Sequence, residues 1–152
     1  MKKWLPTASL LGMLAFSPCH AGDGAEKKFA ELHGTWTLMK MEIEGKSFLG
    51  KDDRWPDLII KDGNVGFGAD DAPRAASWPL AKVVDPTKKP KTVTVPWGED
   101  VTFYGIYVVD GDELRVCGNG VDTALEKNPE ALRPKEFDST KGVLLVFKRQ
   151  KQ

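Results

Sequence analysis

Residues 22–152 contain one histidine, His33, and one cysteine, Cys117, as raw material for nucleophilic or metal chemistry. A serine or cysteine triad needs a histidine within reach of the nucleophile. A structural zinc site needs four ligands, which one His and one Cys do not supply. His33 stands beside Gly34 at the end of an opening helical pattern, where its plain role is that of a surface or helix-end residue. Cys117 falls in a strand pattern, where a thiol is small and inert. Carboxylates are plentiful but sit in turns. Asp110, Asp112 and Glu113 begin like a calcium loop, yet the spacing does not continue into further oxygen ligands, so the segment reads as a hairpin turn. Asp52-Asp53 and Asp70-Asp71 read as solvated loop charges. Acid–base catalysis needs two carboxylates brought together, and no spacing here implies that. The chain is expected to be non-catalytic, with no cofactor and no metal.

Tryptophan is the unusual feature. Trp36 lies in a strand pattern and reads as core, whereas Trp55, Trp78 and Trp97 each adjoin a proline at an apparent strand end. Amphipathic aromatics at strand ends either rim a binding cavity or plug the end of a barrel. In the first reading Trp78 and Trp97 form a rim, Phe103 and Tyr107 line the interior, and the ligand is small and apolar or amphipathic. In the second, Trp36, Met39, Met41, Phe103, Tyr107 and Phe147 fill a small barrel, leaving a structural or protein-interaction module. The cluster Lys88, Lys89 and Lys91 around Pro90 would bind an anion or, more plainly, keep a turn soluble and blunt edge pairing.

The elements that must position these residues are mostly strands. Ala25, Phe29 and Leu32 fall on one side at helical spacing, with Asp23 as a cap and Gly34 as the stop. The period then shortens. Trp36 and Leu38 hold one phase and Met39, Met41 and Ile43 the other, which predicts a bulge in one long strand. Glu44-Gly45-Lys46 turns the chain. Asp57 to Lys61 is a short strand, Asp62-Gly63-Asn64 a hairpin turn and Val65 to Gly68 the return. Ala69 to Ser77 reads as a loop, Leu80 to Asp85 and Lys91 to Val95 as strands. Val101 to Cys117 is a hairpin around Asp110-Gly111-Asp112, and either turn register puts Phe103, Tyr107, Val109, Leu114 and Val116 on one core face. Gly118 to Pro134 reads as a long connection with a helical turn near Asp122 to Lys127, and Gly142 to Arg149 as a closing apolar strand. About eight strands at these spacings imply an all-β barrel or sandwich.

Met1-Lys2-Lys3, an apolar run from Trp4 to Phe16 and Cys19-His20-Ala21 form a secretory leader, with cleavage expected after Ala21. The apolar run is too short to span a bilayer, which takes ~20 residues. Pro18 directly before Cys19 fits lipoprotein processing poorly. The domain then runs over residues 22–152 and is expected to be periplasmic or secreted. Losing Lys2 and Lys3 leaves 20 basic against 22 acidic residues, a net charge of −2. Nucleic-acid binding needs a basic footprint that this balance lacks. Cys117 alone cannot make an internal disulfide, so the fold must hold by its core.

Gly34-Thr35-Trp36 after a short helical segment resembles the G-x-W motif that opens lipocalin-like barrels. In that group a basic residue after the last strand packs over the tryptophan, and Arg149 is the matching residue. Further motifs are similar to those of an uncharacterised lipocalin-like domain family found chiefly in planctomycete bacteria. They are Asp85-Pro86-x-x-x-Pro90-Lys91, Gly105-Ile106-Tyr107, Asp110-Gly111-Asp112-x-Leu114-Arg115-x-Cys117, Arg133-Pro134-x-Glu136-Phe137 and Leu144 to Arg149. The resemblance covers roughly residues 32–149, and the stretch between Cys117 and Arg133 departs from it by being longer and more charged. It implies a lipocalin-like antiparallel barrel of about eight strands with a short N-terminal helical segment. Gly34, Trp36, Asp110, Gly111, Arg133, Glu136 and Arg149 read as structural residues; Arg133 and Glu136 beside Phe137 would be either the polar groups of a hydrolase pocket or, more plainly, a salt-bridged anchor for the last crossover. The family brings no established activity with it.

Overall fold

The computed structural model describes residues 27–49, 53–69, 72–97 and 99–151. The expected leader over 1–21, Cys19, the Asp23 cap and the acidic residues Asp52, Asp70 and Asp71 lie outside the described residues. The described chain is all-β and antiparallel. After a 3-10 turn, η1 (Ala30–Leu32), come β1 (Gly34–Ile43), β2 (Lys46–Ser47), β3 (Asp57–Lys61), β4 (Asn64–Ala69) and β5 (Ala72–Pro79). A four-residue helix, α1 (Leu80–Val83), leads into β6 (Val84–Asp85), β7 (Lys91–Pro96), β8 (Val101–Asp110) and β9 (Glu113–Asp122). Two 3-10 turns, η2 (Pro129–Leu132) and η3 (Ser139–Lys141), precede β10 (Val143–Arg149).

The strands form one sheet in the order β5-β4-β3-β1-β10-β9-β8-β7-β6, with β2 paired to β1. Neighbours in the sheet are neighbours in the chain, except where the first strand meets the last and where β3 pairs with β1 past the short β2. The two edges, β5 and β6, are joined only by α1. Four helical residues span about 6 Å, so the edges are drawn together at that end and the sheet curls into a half-barrel. Turn chemistry sets the registers. Asp62 and Gly63 both take positive φ, the two-residue turn that matches strand twist, and Lys61 pairs with Asn64. At the β8–β9 turn Asp110 pairs with Glu113, so Gly111-Asp112 is the turn, with Val109 opposite Leu114 and Tyr107 opposite Val116.

One end of the half-barrel is closed by Trp36 and Arg149, which face each other across β1 and β10. Trp36 is 0% exposed, and its indole N–H donates to the Leu32 carbonyl at 2.8 Å. The Arg149 guanidinium lies 4.1 Å from the ring centroid. It donates to the carbonyls of His33 and Glu31, the latter at 2.6 Å, and reaches the Asp112 carboxylate at 3.7 Å. Gln150 continues the lock, its amide N–H donating to the Thr35 carbonyl at 2.8 Å and its side chain to Asp57 at 2.8 Å. Phe29, Leu32, Leu114 and Phe147 are buried in the same cluster.

Several expectations change. The register between β1 and β10 shifts between Leu38 and Lys40, the bulge implied by the phase switch. The bulged residue is Met39, which is therefore 58% exposed rather than a core filler. Ala72–Pro79 is a strand rather than part of a loop. Prolines at 73 and 79 are tolerated because β5 is an edge strand with one neighbour. Leu80–Val83 is helical rather than extended, because the chain must cross between the two sheet edges there. β9 runs on through Gly118 and Gly120 to Asp122, where glycines suggested a connection. Among the described residues there are ten strands rather than about eight, and the described N-terminal segment ends in a 3-10 turn.

Gly34 has φ +130, and a Cβ there would stand 3.3 Å from Arg149 Nη1. Gly34→Ala is expected to lower stability by about 1–3 kcal/mol. Urea unfolding measures this, and an unchanged midpoint would count against the lock at this end.

Candidate functional site

The interior of the half-barrel holds a cavity of about 100 Å³ with an entirely apolar surface. Alternation along each strand turns one face inward. β3 contributes Leu58 and Ile60, β4 contributes Val65 and Phe67, and β9 contributes Leu114 and Val116. The helix α1 closes the gap between the sheet edges with Leu80 and Val83. Trp78, Trp97, Phe103 and Tyr107 all lie on the wall of this one cavity. Trp55 does not line it and is 48% exposed. Trp97, following β7, is 63% exposed and meets Phe67 edge-on, with ring centroids 6.1 Å apart at 67°. An exposed aromatic on the cavity lining marks its open side, so the Phe67–Trp97 pair stands at the entrance.

Phe103 is held by what its neighbours lack. A Cβ at Gly105 would stand 2.8 Å from its Cε1, and one at Gly118 would stand 2.6 Å from the same atom. Carbon atoms do not approach so closely, so the ring lies flat on two paired glycines of β8 and β9. Tyr107 is 3% exposed and its phenolic oxygen has no hydrogen-bond partner. Burial, with Glu31 and Asp85 adding to it, pushes the hydroxyl's pKa far up, so it stays neutral. Lys91 pairs with Glu31, and its ammonium lies 5.9 Å from the Tyr107 ring centroid.

This arrangement provides an apolar packing surface. Among the described residues no group of three His, Cys, Asp or Glu side chains is placed to hold a metal. Cys117 is buried in β9, its thiol pushed up by burial and directed at the Asp138 carbonyl at 3.7 Å. Cys117 pairs with Leu144, five residues along β10 from Arg149, whose guanidinium touches the His33 carbonyl. That offset is about 16 Å of strand, so His33 and Cys117 do not form a pair. His33 Nε2 is buried without a partner.

The remaining sequence-derived residues are structural in placement. Asp110 ends β8 and Gly111 opens the turn with φ +58. Arg133 reaches back to the sheet, donating to the Val93 carbonyl at 2.7 Å, the Gly105 carbonyl at 2.5 Å and Thr94 Oγ1 at 2.8 Å. Its carboxylate partner is Glu130, held by two hydrogen bonds of 2.9 and 2.8 Å, while Glu136 is exposed. The guanidinium also lies 5.4 Å from the Tyr104 ring centroid. Sequence reasoning missed Phe67, Glu130 and the two glycines under Phe103. Phe67 was recoverable, because the Asp62-Gly63 turn register puts it on the same face as Val65. The glycines were not, because a strand glycine reads as a break until the ring above it is seen.

Arg133→Ala is expected to cost about 2–4 kcal/mol, since charge-assisted hydrogen bonds contribute the most and their loss leaves carbonyls unpaired. The hydrogen bond from Arg133 holds Glu130 below the usual carboxylate range. Its contribution is fully present above the unfolded-state value and is lost as pH falls through the lower folded one. Glu130→Gln should therefore reduce stability at neutral pH and converge with the parent in acid. Urea midpoints from pH 7 to 2.5 measure this, and a constant gap would contradict the pairing.

Among the described residues no helix is long and apolar enough to cross a membrane. Comparison with known protein families, curated proteins and solved structures finds no match, so the functional reading rests on the geometry of the cavity and its mouth.

Proposed function

We propose that this chain is an exported, non-catalytic binding module with a lipocalin-like barrel that holds a small apolar guest, or the apolar end of a larger one. The observation that carries the reading is the convergence of Trp78, Trp97, Phe103 and Tyr107 on one apolar cavity whose mouth is an exposed tryptophan. The resemblance of several motifs to those of a planctomycete lipocalin-like family and the pairing of first strand with last favour the barrel assignment. The leader-like N-terminus supports a periplasmic or secreted location.

Size decides what kind of guest this is. Drug-sized ligands occupy pockets of ~300 Å³ or more, and an apolar cavity of ~150 Å³ holds benzene. A space of about 100 Å³ suits one ring or a short hydrocarbon end, with the rest of the molecule outside beyond Trp97. Burying four or five methylenes supplies about 3–4 kcal/mol, which corresponds to a Kd near ~1 mM. Stacking on Trp97 would tighten this.

The same small volume favours a second reading, a structural or protein-interaction module with a filled interior. A panel of small lipophilic molecules monitored by tryptophan fluorescence separates the two. Binding at or below about 1 mM, weakened in Trp97→Ala, is the expected result. No response from any member of the panel would discard the binding reading in favour of the filled barrel.

A further inference from the structure

We propose that Phe103 sets the size limit of the guest, and that the glycine pair beneath it keeps the cavity open. This rests on the binding reading above and adds to it the residue that selects among guests. The relevant positions are paired across β8 and β9, where Gly105 faces Gly118 and Phe103 faces Gly120. All of these belong to the wall that ends at the β8–β9 hairpin. An ordinary strand would carry a side chain at positions 105 and 118, each directed inward beside Phe103. Two inward side chains are missing here, and the ring occupies their place.

The ring's position is over-determined. A Cβ at Gly105 would lie 2.8 Å from Phe103 Cε1 and 2.8 Å from the Cys117 carbonyl oxygen. One at Gly118 would lie 2.6 Å from Phe103 Cε1 and 2.7 Å from the Tyr104 carbonyl oxygen. The ring cannot sink further into the wall, because backbone lies behind it. Any side chain on the shelf would have to lift the ring inward. The cavity is only about 100 Å³, comparable with the volume of an aromatic ring, so lifting Phe103 would close it. The glycines thus favour a cavity that a conventional strand would fill, and the exposed face of Phe103 is the inner boundary that a guest entering past Trp97 meets.

Gly118→Ala would strike the Tyr104 carbonyl and disturb strand pairing, so the test is made at the ring itself. The probes are n-alkanols from butanol to decanol, whose hydroxyl remains at the mouth, with affinities measured by calorimetry on the parent, Phe103→Leu and Phe103→Ala. In the parent, each methylene that enters should tighten binding about fourfold, with the gain stopping at about five carbons, the number that fits the free space. Phe103→Ala should move that stopping point up by about three carbons, and Phe103→Leu by less. A folded variant of either kind with the parent's stopping point would overturn the assignment of Phe103 while leaving the binding reading intact. Parent protein that binds no alkanol at all would overturn the binding reading, and this assignment with it. Phe103→Leu, the milder change, carries the comparison if Phe103→Ala does not fold.

Discussion

A sheet with two free edges curls only if its middle holds a fixed geometry while its ends are joined; α1 joins the ends, and the stacked pair of Trp36 and Arg149 locks the middle. The indole is fully buried and hydrogen-bonded to Leu32, and the guanidinium covers its face. One arginine therefore touches the segment before β1, the first residues of β1 and the β8–β9 turn. Because β1 and β10 are the middle of the sheet rather than its edges, locking them fixes the curvature on which both flanks depend. Cation–π contacts that are shielded from water contribute ~2 kcal/mol, a large share of a marginal stability. Gly34 is the necessary companion, since a side chain there would press on the arginine.

Closing one end so firmly leaves the other end to the aromatics. The core cluster of Leu32, Trp36, Leu114 and Phe147 fills the Arg149 end, and no charged residue is buried among the described residues. Away from that end the inward positions of β8 and β9 become glycine, and the wall is thinned in front of Phe103. A core under selection for stability alone would place side chains there, because apolar burial is the main favourable term in folding. Under the proposed binding role, the space left open beside a mouth flanked by Trp97 and Phe67 is where the guest would enter.

Much of this was legible in the sequence where the signal was local. The Asp62-Gly63 and Asp110-Gly111-Asp112 turns gave two hairpins, and alternation around the second put Tyr107 and Leu114 on one face whichever register held. The phase switch at Met39 located the bulge, although not the consequence that Met39 itself points outward. Strand and loop were confused where tertiary position overrides composition. Proline-containing β5 survives as an edge strand, and in glycine-containing β9 the Phe103 ring covers Gly118. Arg133 stood out as an anchor, but its carboxylate is Glu130, three residues earlier in a 3-10 turn, rather than Glu136. Four of the six aromatics that line the cavity, Trp78, Trp97, Phe103 and Tyr107, were singled out by type and place, whereas Phe67 was not. The size of the space between them is a property of packing, which no spacing rule contains.

The closest test of the lock is a double-mutant cycle between Trp36 and Arg149, using Trp36→Leu and Arg149→Met with stability measured by urea unfolding. A direct stacked contact should give a coupling energy of about 1–2 kcal/mol. Additive effects, within about 0.3 kcal/mol, would mean that the ring and the guanidinium act separately and that the half-barrel is held by something else.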